Sequence, residues 1–230
     1  MLDTLTLIIL LVPCLVIAIV FHEVAHGLAA KALGDPTASE RGRLTLNPIK
    51  HVDPVGTLLV PGFLLLVGAP AFGWAKPVPV DKYRLSNPRF GMMAVAAAGP
   101  GINFVLALIG AALLGLTTAF IEVPQAGEDN VVYTALTMFV LINVFLGLFN
   151  LLPIPPFDGS HIVGGLLPRS LARYWEQLQR FGMLLILALI GYSWIFGTGW
   201  LDTTVVPLVE GVMEYYFILA DWVSTPFIGG

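Results

Sequence analysis

Charge is what this sequence has least of. Of 230 residues, 11 are Lys or Arg and 15 are Asp or Glu, 11% in all, where a soluble domain carries about 25%. That deficit excludes a fully solvated surface and points to a chain whose solvent is lipid; no nucleic-acid partner is expected. Cysteine is scarcer still. Cys14 stands alone, which excludes a disulfide framework and a thiolate metal cluster and leaves a small buried apolar side chain as its reading. There is no internal repeat, low-complexity stretch or appended soluble domain, and residues 1–230 are expected to form a single integral-membrane unit.

Long apolar runs are there instead, at 4–21, 55–72, 90–121, 131–152, 181–197 and 203–223. A helix needs roughly 20 mostly apolar residues to cross the bilayer core. The first run carries Asp3 and no preceding basic residue and is longer than a secretory h-region, so it is expected to be a retained span. Pro13 beside Cys14 argues against lipidation there. Every basic residue falls in one of three segments: Lys31, Arg41, Arg43 and Lys50; Lys76, Lys82, Arg84 and Arg89; Arg169, Arg173 and Arg180. The positive-inside rule puts all three on the cytoplasmic face. The run 55–72, flanked by two of them, should then enter and leave on one side, and Pro61, Gly62, Gly68, Pro70 and Gly73 suit a broken, re-entrant hairpin. Crossings are expected at about 5–30, 90–120, 131–153 and 178–198. The run 203–223 holds Glu210, Glu214 and Asp221, which are expensive in lipid, so an interfacial or partly inserted helix is expected there. Short extended pieces are predicted over 40–53 and 74–82, from RLTLNP and AKPVPV. The fold class is thus an all-α polytopic membrane protein, a helical bundle with a re-entrant hairpin and short membrane-associated β segments.

Chemistry enters at 22–26, HEVAH. On a helix, positions i and i+4 share a face, so His22 and His26 can reach one metal ion. Glu23, about 100° further round, can take a proton from an activated water and return it to a leaving amine, as in zincins. The bland reading is two chance histidines on an apolar helix. Against it, three ionisable groups within five residues of a span carry a large insertion penalty, and half of the chain's four histidines sit here. A membrane di-iron site would need about eight histidines, and only His51 and His161 remain.

A catalytic zinc takes three protein ligands and keeps one open position. At the end of the 131–153 run stands NLLPIPPFDG, 150–159. Its prolines cannot continue a helix, and Asp158 projects from the turn that follows. With both segments toward the cytoplasmic ends of parallel helices, Asp158 is the expected third ligand. His51, Asp53 and His161 are the rivals.

With these residues in hand, the chain resembles the site-2 protease family of intramembrane zinc metalloproteases, in its compact bacterial form without PDZ or CBS domains. HEVAHG at 22–27, AAAGPGIN at 96–103 and NLLPIPPFDG at 150–159 occur in the family's order, and the likeness covers about residues 10–185. The resemblance implies one zinc ion held by His22, His26 and Asp158, with Glu23 activating water. Asn103 and Asn150 would order the substrate backbone or stabilise the oxyanion. It further implies a catalytic core over about 5–175 followed by C-terminal helices over 176–230, a bacterial inner membrane, a site toward the cytoplasm and transmembrane protein substrates. Two other classes stand beside it. A metal-binding transporter or scaffold would want a closed, four-ligand site. A prenyl-protein protease would draw its third ligand from Glu176, Glu210 or Glu214.

Overall fold

The structure is a computed structural model that describes residues 2–68, 72–120, 130–199 and 201–228. The first helix, α1, spans Thr4–Ala32. Asp3 starts it by accepting the Thr6 N–H at 2.7 Å, which satisfies one donor of the open first turn. Gly34, at φ +106°, ends it in a backbone conformation that a Cβ disfavours. A four-residue helix α2, Thr37–Glu40, follows. Next come a 3₁₀ turn at Pro48–His51, a π turn at Pro54–Leu59 and the short helix α3, Val60–Leu66. Helix α4 covers Pro88–Phe120 and α5 covers Val131–Asn150. Asn130 caps α5 by accepting the N–H groups of Val132 and Tyr133 at 3.0 and 3.1 Å. Four more helices close the chain: α6 Asp158–Leu166, α7 Arg169–Gln179, α8 Gly182–Phe196 and α9 Val206–Ile228.

Helix α4 is the hub, packing against α1, α5, α6 and α9. One apolar core joins Ala107 and Ala111 of α4, Val140 and Val144 of α5, and Val205, Val209, Met213 and Tyr216 from the C-terminal stretch. A smaller core of Ala30, Leu85 and Val95 sits where α1 ends and α4 begins. Cross-links fix the directions: Cys14 meets Ala135, Asn103 meets both Ala18 and Asn143, and His26 meets Val95. Helices α1 and α5 therefore run in parallel, with α4 antiparallel to both.

Four helical stretches are long and apolar enough to cross a membrane: Thr4–Ala32, Pro88–Phe120, Val131–Asn150 and Leu201–Phe227. Three coincide with expected crossings. The fourth is the run expected at the interface. Its acids, Glu210, Glu214 and Asp221, recur on one exposed stripe, while Val209, Met213, Tyr216 and Ala220 on another face are buried, so the acids segregate by face. The crossing expected at 178–198 falls on α8, which alone has 15 residues, fewer than the roughly 20 of a full span, and the preceding α7 meets it at 63°.

The expected β segments are corrected as well. Among the described residues there is no strand. The stretch 72–81 has no regular structure because its alternate N–H groups go to scattered acceptors: Trp74 donates to the Gly56 carbonyl at 3.0 Å and Lys76 to that of His51 at 2.8 Å. Pro77 and Pro79 then deprive the other edge of donors. Of the run 55–72, where a hairpin is expected, the π turn and α3 cover the first part, and residues 69–71 lie outside the described residues.

Candidate metal centre

Helix α1 brings His22 and His26 together as the spacing requires, their ring centroids 4.6 Å apart. The third group comes from the loop after α5. There the Pro155–Pro156 bond is cis, and Asp158 is the first residue of α6 rather than part of an isolated turn. Gly159 makes that placement possible: a Cβ on it would lie 2.2 and 2.4 Å from the carbonyl oxygens of Leu151 and Leu152, so α6 can start hard against the end of α5 only without a side chain there. Asp158 Oδ2 then stands 3.2 Å from His22 Nε2 and 3.3 Å from His26 Nε2, and the two Nε2 atoms are 3.0 Å apart.

The protonation of this triangle follows from its surroundings. His22 Nδ1 lies 2.7 Å from Asn103 Oδ1, and His26 Nδ1 lies 2.7 Å from the Val95 carbonyl. The Asn103 amide is oriented by its other contacts, since its Nδ2 donates to the Ala18 carbonyl at 3.2 Å and to Asn143 Oδ1 at 2.9 Å. Both oxygens facing the rings can only accept, so each Nδ1 carries the proton and each Nε2 offers a lone pair. Asp158 Oδ2 is buried and has no hydrogen-bond partner. Three lone pairs thus converge with no proton assigned between them, an arrangement that calls for a cation. Tetrahedral zinc with ligand bonds near 2.0–2.1 Å would space its ligands about 3.3 Å apart, and the observed edges match. Asp158 would serve a metal as the carboxylate, and the histidines as neutral imidazoles, as ligation requires. Among the described residues, these three are the one group of His, Cys, Asp or Glu side chains placed to share an ion.

Gly99 gives the rings their room. A Cβ there would stand 2.4 Å from His26 Nε2 and 2.6 Å from His22 Cε1. Glu23, half-buried beside His22, turns its carboxylate to the stretch 72–81, where Oε2 accepts the Val78 N–H at 2.8 Å.

The other candidates are placed elsewhere. Asn103 is fully buried and occupied with His22. Asn150 ends α5 with its Nδ2 donating to the Leu146 carbonyl at 3.0 Å, back along its own helix. His51 is buried against the Thr45 carbonyl at 2.9 Å, and Asp53 caps the N–H groups of Val55 and Gly56. His161 faces Gln179, 3.4 Å away, and burial holds its imidazole below its ordinary range. Sequence reading passed over Asn143, Gly99 and Val78. Asn143 left a weak signal as an amide amid the apolar run LINVFLG, and the backbone of Val78 left none.

Comparison with known proteins agrees with this geometry. The family described as peptidase family M50 matches residues 10–129 and 118–189. YwhC of Bacillus subtilis is 40% identical over 179 residues, 78% of each chain. Rip2 of Mycolicibacterium smegmatis is 29% identical over 182 residues, 79% of this chain and 66% of that protein. Rip2 of Mycobacterium tuberculosis strain Erdman is 30% identical over 189 residues, 79% and 68%. All three carry names that make them zinc metalloproteases. No solved structure matches the chain. The chain belongs to peptidase family M50, the site-2 proteases, and is a membrane-embedded zinc metalloprotease.

Proposed function

We propose that His22, His26 and Asp158 are the zinc ligands, that Glu23 is the general base, and that the substrates are transmembrane segments of other proteins, cut near the cytoplasmic face. The observation that carries the reading is the convergence of His22 Nε2, His26 Nε2 and Asp158 Oδ2 within 3.0–3.3 Å. A zinc ion held there would polarise a peptide carbonyl and lower the pKa of a water to about 7.

The protein's own groups do the rest. Asn103 and the Val95 carbonyl hold the two rings in one tautomer and orientation, as the outer shell of a metal site does. Glu23 accepts the proton of the attacking water and delivers it to the departing amine nitrogen. A helical amide is shielded by its own hydrogen bond and side chains, so the substrate has to extend before attack, and the stretch 72–81 lies beside Glu23 to receive it. There the donors of Trp74, Lys76 and Val78 are already used. A substrate strand on the other edge would find the carbonyls of Ala75, Pro77 and Pro79 and the single donor of Ala75. It would therefore have to donate more hydrogen bonds than it accepts.

The three-ligand geometry favours catalysis over a structural site, which would be closed by a fourth protein ligand. Against the prenyl-protease reading, the Glu176 carboxylate pairs with Lys82 at 3.2 Å, while Asp158 lies beside the two histidines. The distribution of basic residues supports the cytoplasmic side. The test is the Glu23→Gln variant, purified and assayed with a transmembrane peptide in bicelles beside a metal assay. One zinc per chain with cleavage lost is the expected result; cleavage that persists in the variant sinks the role of Glu23.

A further inference from the structure

Helix α7 takes no part in the site, yet its surface is sharply divided into a basic and an apolar face. At 100° per residue, Arg169, Arg173 and Arg180 fall within about 40° of one another, Arg180 continuing the helical backbone as its cap. Leu171, Tyr174 and Leu178 fall roughly opposite and are exposed, at 51%, 72% and 40%. The remaining side is already taken: Trp175 Nε1 donates to the Ser160 carbonyl at 2.7 Å, and Gln179 Nε2 to the Ser160 hydroxyl at 3.3 Å. These bonds to α6 fix the rotation of α7 about its axis, so the basic and apolar faces cannot exchange places.

Charge and setting identify what meets these faces. None of the three arginines has an ion pair among the described residues, and the one nearby acid, Glu176, is held by Lys82. The basic face therefore stands uncompensated. The apolar α8 leaves α7 at 63°, the relation expected between a helix lying along a membrane surface and one entering it. We propose that α7 is an interfacial helix that binds the anionic headgroup surface of the bilayer. Leu171, Tyr174 and Leu178 sink below the headgroups, while Arg169, Arg173 and Arg180 reach the phosphates from above.

The test is spin-label depth in vesicles. In a Cys14→Ser background, a label is placed at Tyr174→Cys or at Gln177→Cys, and the full chain is reconstituted in phosphatidylcholine with and without phosphatidylglycerol. Collision with oxygen reports lipid, and collision with a nickel chelate reports water. The label at 174 should favour oxygen and that at 177 nickel, and phosphatidylglycerol should shift 174 deeper. The combined Arg169→Gln, Arg173→Gln and Arg180→Gln changes should abolish that shift, and so should about 1 M salt on the unsubstituted helix, which screens charges beyond ~3 Å. The second measurement decides the matter if the triple variant fails to fold. A label at 174 that favours nickel in both vesicles overturns the proposal. So does a shift that survives both charge removal and salt, or a label at 174 hidden from both reagents, which would mean that protein covers this face.

Discussion

The junction of α1, α4 and α5 and the stretch 54–81 both border the same site, yet they are built in opposite ways. In the junction the buried amides are chained together: the Asn143 Nδ2 donates to the Phe139 carbonyl at 2.8 Å, its Oδ1 accepts from Asn103, and Asn103 accepts from His22. Both amides are fully buried, where a missing partner would cost about 1–3 kcal/mol. The stretch 54–81 buries few side chains, and its helix α3 buries none. It reaches the site by one backbone bond, from Val78 to Glu23. On the proposed roles, the ligands sit on a relay that tolerates little movement, whereas the base meets its neighbouring segment through a single backbone bond. That division suits a site that must keep its ion through every turnover while its base changes partners.

The largest expected effects break the two regions separately. Asp158→Ala removes a ligand, so zinc content and cleavage should vanish together. Glu23→Gln should cost about 10²–10⁴-fold in cleavage rate, the range for general acid–base catalysis, with zinc retained by elemental analysis. If both variants lost zinc, the separation of holding from reacting would be broken.

Next in size are the outer contacts of the junction. Asn103→Leu strips the acceptor from His22 Nδ1 and should weaken zinc affinity about 10–100-fold, measured by competition with a chelator. Asn143→Leu, one bond further out, should weaken it less. Equal effects would mean that the relay acts through packing alone. Gly99→Ala tests the room around the rings, and the Cβ it adds should displace His26 Nε2 and lower zinc affinity as well.

How much of this was legible in the sequence follows from the kind of interaction. The meeting of His22 and His26 was readable because one helix carries both and its period is fixed. The approach of Asp158 to them was readable because prolines end a span beside it. The relay was not. Asn143 on α5 looks like any packing amide until three helices are superposed, and the contact of Val78 with Glu23 spans 55 residues through a backbone atom, which no side-chain pattern can announce. A count of apolar and acidic residues does not show that the acids of α9 lie on one stripe, nor that α7 and α8 meet at 63°.

The smallest effect sharpens the weaker region. Asp35 lies just past α1, fully buried, and ties the end of that helix to the start of the 81–84 turn. Its Oδ1 accepts the Thr37 N–H at 3.0 Å and the Thr37 hydroxyl, and its Oδ2 accepts the Asp81 N–H at 2.7 Å. Burial pushes the carboxyl up, but these donors together with Arg84 hold it below the usual carboxylate range. A carboxyl depressed by folding contributes its stability above its unfolded value, about 3.9, and loses that contribution as pH falls through the lower folded value. Hydrogen exchange over 33–43 and 78–86 should therefore be constant from neutral pH to about pH 5, after correction for the intrinsic rate, and accelerate below pH 4. Asp35→Asn should bring that loss to neutral pH, about 1–3 kcal/mol, because an amide meets the Asp81 N–H with a donor or surrenders Thr37. Zinc affinity should be unaffected, since no ligand of the junction touches this turn. A variant that loosened the turn and lost zinc alike would show that the two regions are one mechanical unit after all.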